Sequence, residues 1–262
     1  MWLTYDSEDG RGWGRRARVK KEMDAAVFAR TRLGFLPDAK QAFVLRSNAK
    51  RGILNCCRQW GKSTVAAIQA VHRAYTRPEC LVLVASPGER QSAEFLRKAA
   101  GLVRRLGDPV RGDGDHAISL MLPNGSRIIG LPGNEAAARG FSDVSLILID
   151  EASRVSDEMY LALRPMLAVG DGDLWLMSTP SGQRGFFYEA WRDEGEEWMR
   201  VSVPATACSR IRGKFLGQER RVMGERLFSQ EYLGAFVADE MAVFDPRLVE
   251  AALDNSVTEL TI

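Results

Sequence analysis

The chain has 262 residues, 45% hydrophobic and 27% charged, and its 36 Lys and Arg against 34 Asp and Glu give a formal net charge of +2. This is the composition of a globular chain able to form one large domain, or one domain with a small appendage, and it excludes a bulk polycation. Four cysteines without paired metal-ligand spacing and only two histidines argue against zinc and for free thiols, and no run has the length of a membrane span or of a signal-peptide core.

In chain order, Met1 to about Met23 is polar and rich in Gly and Arg, and reads as a loose arm carrying Arg11, Arg15, Arg16, Arg18, Lys20 and Lys21. Ala25 to Leu33 reads as a helix stopped by Gly34, and Pro37 opens a second short helix. Ile53-Leu54 lead as a strand into Cys56–Thr64, after which Val65, Ala66, Ile68 and Val71 recur at helical spacing. Cys80 to Ala85 reads as a buried strand and Gly88 to Leu106 as a helix. Ile118–Leu122 and Arg127–Leu131 flank Asn124-Gly125, the signal of a tight hairpin. Val144 to Asp150 is a second buried strand, Asp157 to Val169 a helix, and Leu174 to Ser178 a third strand. Glu197 to Val203 reads as a last strand and Leu216 to Phe236 as helical, with Arg210, Arg212, Lys214, Arg220 and Arg221 clustered around its start. Strands alternating with helices predict a mostly parallel sheet covered on both faces. Either basic cluster suits phosphates or an acidic partner.

Three strand ends carry chemistry. Cys56-Cys57-Arg58-Gln59-Trp60-Gly61-Lys62-Ser63-Thr64 has the Gly-Lys-Ser ending of a phosphate loop (Walker A), although Cys56 stands where the general pattern has glycine. Backbone N–H groups at such a helix start attract anions. Lys62 would reach the β- and γ-phosphates of ATP, and the Ser63 hydroxyl would coordinate Mg2+. The second is Ile147-Leu148-Ile149-Asp150-Glu151, a buried run ending in two acids (Walker B). Asp150 would hold Mg2+, directly or through water, and Glu151 would deprotonate the attacking water; the competing reading is that both acids cap the next helix. The third is Ser178-Thr179-Pro180, where a hydroxyl can sense the γ-phosphate and couple hydrolysis to movement, or simply end a strand. Gln41 has an amide suited to an adenine edge, against the alternative of an ordinary exposed helical glutamine. Arg58 has a guanidinium suited to phosphate, against that of a surface salt bridge.

Taken together, Arg58-Gln59-x-Gly61-Lys62-Ser63, Ile147-Leu148-Ile149-Asp150-Glu151-Ala152 and Ser178-Thr179-Pro180, in that order, resemble the ATPase domain of the large terminase subunit, the DNA-packaging motor of tailed bacteriophages. The resemblance extends upstream to Gln41 and Arg46 and downstream to Phe228–Phe236. In that family the first loop glycine is usually missing and an early loop arginine is usual.

The resemblance implies a P-loop fold of the additional-strand, catalytic-glutamate (RecA-like) division, with the strand ending at Ser178 lying between the phosphate-loop strand and the acidic strand. It implies an arm over residues 1–24, an ATPase core over 25–204 and a helical lid with the start of a linker over 205–262. The nucleotide site would comprise Gln41, Arg46, Arg58, Gln59, Trp60, Gly61, Lys62, Ser63 and Thr64, with Mg2+ on Ser63 and Asp150 and with coupling through Ser178 and Thr179. Catalysis would fall to Glu151 and Arg58, with Arg139 entering from a neighbouring subunit; Arg104 and Arg105 compete for that role. Such an arginine is worth on the order of 10³–10⁵ in rate, so an isolated monomer would be sluggish. The implied partners are double-stranded DNA, the portal protein and procapsid, the small terminase subunit and a homo-oligomeric ring of this chain, with no membrane, in the host cytoplasm and outside the mature virion. Full-length members carry a nuclease domain beyond the lid. This chain ends soon after Val243-Phe244-Asp245-Pro246, and is expected not to cut DNA. A helicase-type translocase is the alternative within the same chemistry, although the segment after Pro180 falls short of the ~100–150 residues of a second domain. A nucleotide-binding scaffold without turnover is the alternative from another class.

Overall fold

A computed structural model describes residues 23–131, 133, 140–193 and 197–238. Residues 1–22, expected to be an arm with a basic cluster, Arg139, and residues 243–246, expected to lie in a linker, are outside that set.

The described chain runs α1 (Ala25–Arg32), α2 (Ala39–Arg46), β1 (Arg51–Cys56), α3 (Lys62–Thr76), β2 (Leu81–Ala85), α4 (Glu89–Arg105), β3 (Ser119–Met121), β4 (Arg127–Leu131), β5 (Val144–Asp150), α5 (Asp157–Leu163), β6 (Asp173–Ser178), α6 (Gly185–Arg192), β7 (Trp198–Val203) and α7 (Gly213–Phe228). The helices start where side chains can satisfy free backbone N–H groups. Asp24 accepts from Val27 N at 2.8 Å, Ser156 accepts from Met159 N at 3.3 Å, and Asp38 forms a reciprocal capping box with Gln41.

Seven strands form one sheet in the order β3-β4-β2-β5-β6-β1-β7. Every pairing is parallel except β3 with β4, the hairpin expected around Asn124-Gly125. Because successive side chains of a strand point to opposite faces, β5 sends Leu146 and Leu148 into one core and Ile147 and Ile149 into the other. α1 to α4 cover the first face with Phe28, Val44, Val65, Ile68 and Phe95. α5 and α6 cover the second with Met159, Leu163 and Phe187. This two-sided burial explains why the strands read as continuous apolar runs.

β6 lies between β1 and β5, in register Ile53↔Leu176 on one side and Ile149↔Leu176 on the other. That inserted strand is the mark of the additional-strand division. It opens a gap between the loop that leaves β1 and the acids that end β5.

Two helical expectations are corrected. The helix expected over Asp157–Val169 ends at Leu163 and continues as a 3-10 turn over Arg164–Leu167, because Pro165 has no N–H to give to an α-helical bond. The helix expected over Leu216–Phe236 begins at Gly213, is interrupted at Gly224, and passes into one π turn, Ser229–Leu233, before an irregular segment that starts at Gly234.

Candidate active site

The phosphate loop grows out of β1. After Cys57 the chain makes a 3-10 turn, Arg58–Trp60, and reverses at Gly61 with φ 99° and ψ 29°, which aims the start of α3 back at the loop. A side chain at that φ would be strained, so the glycine is required. The loop is anchored on both flanks. Cys57 N donates to Val203 O of β7 at 2.9 Å. The backbone carbonyl of buried Trp60 accepts from Gln41 Nε2 at 2.8 Å and from Arg210 Nη2 at 2.6 Å.

Inside the loop Lys62 is buried, and its Nζ donates to the carbonyls of Cys56 at 2.6 Å and Cys57 at 3.3 Å. Burial lowers the ammonium pKa below its ordinary value, against the pull of Glu151, Cys56 and Asp150. Burial pushes the Cys56 thiol up to about 12, so it stays protonated at neutral pH.

Across the gap Asp150 is buried at the end of β5. Burial raises its carboxyl pKa, and a hydrogen bond with Ser63 works the other way. A hydroxyl and a carboxylate oxygen brought together at a helix start fit Mg2+, a hard cation that takes one or two protein oxygens and completes its octahedron with phosphate and water. Among the described residues no group of three or more His, Cys, Asp or Glu is placed to hold a metal ion.

Glu151 follows in the left-handed region, φ 53° and ψ 42°, unusual for a residue with a side chain. Its N–H donates to Asp150 Oδ1 at 3.2 Å, and its Oε2 accepts from Arg154 Nη1 at 3.0 Å. Ser178 and Thr179 are buried at the end of β6 between loop and acids. Ser153 Oγ lies 2.8 Å from Ser178 Oγ and donates to Thr179 O at 2.8 Å. The Thr179 hydroxyl is buried without a partner among the described residues.

The structure therefore brings Gly61, Lys62, Ser63, Asp150, Glu151, Ser178 and Thr179 to one sheet edge, with Thr64 in the first turn of α3 and Gln59 exposed on the loop. It departs from expectation elsewhere. Gln41 is buried and each end of its amide makes one hydrogen bond within the protein, Oε1 accepting from Asp38 N at 3.0 Å and Nε2 donating to Trp60 O at 2.8 Å, which ties it to the loop. Arg46 is the last residue of α2 and pairs with Asp24 at 3.8 Å. Arg58 is held by Glu231, Nε to Oε2 at 2.7 Å, which also raises its pKa. Arg105 donates to Leu33 O at 2.9 Å, and Arg139 lies outside the described residues. Sequence reasoning missed Ser153, Arg154, Arg210 and Glu231. Arg210 was singled out only as one of the late basic cluster and Glu231 only as part of Phe228–Phe236; the spacing of Arg154, three residues after Glu151, is a local signal that could have marked it.

Residues 53–249 match the family described as large terminase subunit, T4-like-virus type, N-terminal. The chain belongs to the large terminase subunit family. Over 248 residues it is 26% identical to the large terminase subunit of Thermus virus P23-45, a match covering 81% of this chain and 51% of that protein. The large terminase subunit of Thermus phage G20c matches with the same identity and coverage, 26%, 81% and 51%. The chain thus spans about half the length of the curated relatives it matches. Among solved structures, the ATPase domain of the Thermus phage P74-26 large terminase superposes with TM-score 0.73 at 23% identity, covering 82% of this chain and 100% of that one. The large terminase of thermophilic bacteriophage D6E in complex with ADP superposes with TM-score 0.61 at 13% identity, over 72% of this chain and 49% of that one. These likenesses establish that this terminase chain has the P-loop fold with the additional strand.

Proposed function

We propose that this chain is an ATP-hydrolysing motor domain that drives double-stranded DNA into a viral procapsid. The observation that carries the reading is the arrangement across β6: a buried Lys62 and then Ser63 follow β1 on one side of the inserted strand, Asp150 and Glu151 end β5 on the other, and Asp150 bonds to Ser63 across it. ATP would lie along the loop with its phosphates at the start of α3. Lys62 would turn from the Cys56 and Cys57 carbonyls to the β- and γ-phosphates, keeping its charge paired. Ser63 and Asp150 would hold Mg2+, which when bound would offset the charge developing on the phosphates. Glu151 would take the proton of the attacking water, and Ser178 and Thr179, joined to the Glu151 turn through Ser153, would pass the change at the γ-phosphate to the strand edge.

Residues 25–204 would form the core and 205–262 a lid. Asn55 Nδ2 donates to Gly234 O at 2.7 Å and Gln183 Nε2 to Phe236 O at 3.0 Å, so the segment already rests on the strand ends beside the site. The relative from bacteriophage D6E is solved with ADP and with ATP-γ-S, which supports a nucleotide ligand here. The partners would be the portal protein, the small terminase subunit and further copies of this chain in a ring, with the free domain a monomer, in the host cytoplasm. Among the described residues no helix is long and apolar enough to cross a membrane.

The test separates binding from chemistry. Glu151→Gln is expected to keep Mg-ATP affinity and to lower turnover by about 10²–10⁴, the worth of a general base. Lys62→Ala is expected to lose binding itself. Wild-type turnover in Glu151→Gln would remove the assignment of the base.

A further inference from the structure

Between the proposed base and the lid stands a side chain that the reading above does not use. Arg154 Nη1 donates to Glu151 Oε2 at 3.0 Å, and its Nη2 reaches Glu231 Oε1 in the lid's π turn at 3.5 Å. Glu231 gives its other oxygen to Arg58 Nε of the phosphate loop at 2.7 Å. Loop, lid and acidic-strand turn are thus joined by two guanidinium groups alternating with two carboxylates.

The two guanidinium groups share the Glu231 carboxylate, so a change at one is felt at the other. If Arg58 leaves for a phosphate, Glu231 loses its close partner. That carboxylate is only 17% exposed, so water compensates it poorly and it draws on the guanidinium still in reach. The 3.5 Å contact to Arg154 is at the limit of a hydrogen bond and has room to shorten. Arg154 would then leave Glu151.

The backbone fits such a device. Glu151 sits at φ 53°, a conformation that persists in a non-glycine residue only where its surroundings hold it. The turn is closed by Arg154 N donating to Glu151 O at 2.9 Å. Ser153, on Ser178 and Thr179, fixes its far side. An ordinary ion pair three residues apart would need neither the third partner on a separate element nor the constrained backbone.

We propose that Arg154 is a positioning residue that parks the Glu151 carboxylate while Glu231 is shared with Arg58, and frees it when Glu231 takes the Arg154 guanidinium. A carboxylate oxygen that accepts from a guanidinium is not available to a water proton. The inference rests on Glu151 being the base.

Single-turnover ATP hydrolysis and fluorescent-ATP binding, measured on the intact chain, test it. Arg154→Gln is expected to speed the hydrolytic step by about two- to fivefold, the factor that a half-exposed ion pair can hold, with no change in nucleotide affinity. Arg154→Lys is expected to restore the slow step. Glu231→Gln, which leaves Arg154 no carboxylate but Glu151, is expected to slow hydrolysis, and the slowing should vanish in the double variant with Arg154→Gln. An Arg154→Gln step at or below the wild-type rate in a protein that still binds nucleotide overturns the parking role. So does a gain accompanied by altered affinity. Should Arg154→Gln fail to bind and fold, Arg154→Met carries the same decision. Glu151→Gln is the separating control: activity there removes the base assignment, whereas inactivity there with an unresponsive Arg154→Gln removes only the parking role.

Discussion

Alkaline pH is expected to loosen the phosphate loop through Cys56, and the size of the effect follows from its surroundings. The thiol is fully buried at the end of β1, and burial carries it from an ordinary 9.0 to about 12. A group whose pKa is higher in the folded than in the unfolded chain adds stability that is fully present below the unfolded value and is lost as pH rises toward the folded one. The window here is therefore pH 9 to about 12. At pH 10 the unfolded thiol is mostly ionised and the folded one is not, so unfolding gains roughly 1–2 kcal/mol from this residue compared with pH 8. Burial raises Cys57 and Cys80 in the same direction, while the lowered pKa of Lys62 acts in the opposite sense as pH climbs. The measurement must therefore be differential: urea unfolding at pH 8 and pH 10, with a reductant present, for wild type and Cys56→Ala. The variant should pay a small cavity cost at both pH values and lose the roughly 1–2 kcal/mol alkaline decrement. An equal decrement in both proteins would refute the reasoning, since it would mean that the thiol ionises as readily in the folded loop as outside it.

Two further outcomes follow from particular contacts. Gly52 on β1 faces Trp175 on β6, and a Cβ at Gly52 would fall 2.3 Å from the indole ring; Gly52→Ala is expected to destabilise by about 1–3 kcal/mol, with recovery on adding Trp175→Leu in urea unfolding, and independent effects of the two changes would contradict the clash. If Arg139 completes a neighbour's site, mixing Arg139→Ala with Glu151→Gln protein should give more ATPase activity than either alone, whereas no gain on mixing would favour a site completed within one chain.

The parts of the fold legible in the sequence were those with a strong local signal. β2, β5 and β6 are apolar runs because helices bury them on both faces, and Asn124-Gly125 marks its hairpin through turn geometry. The position of β6 between β1 and β5 carries no local signal; it came from the resemblance and is present in the sheet. The row Arg58–Glu231–Arg154–Glu151 was not legible, because charges that lie 173 and 77 positions apart in sequence meet there and exposed charges have no periodicity to betray them.

The surroundings of Gln41 and Arg46 were partly legible in the sequence. Asp38-x-x-Gln41 just before an apolar run is a capping-box signature, which commits the glutamine oxygen to the Asp38 N–H. With Trp60 O accepting from Nε2, one N–H and one oxygen lone pair of the amide are left. Arg46 lies five residues further along the same helix, which at 3.6 residues per turn sets it about 140° around the axis and ~7.5 Å along it. In the structure Arg46 meets Asp24 at the start of α1. The side chain that does reach the loop beside Gln41 is Arg210, from the segment joining β7 to α7. Its contact ties the loop to the beginning of the proposed lid, so lid movement and loop shape are linked through the Trp60 carbonyl as well as through Glu231.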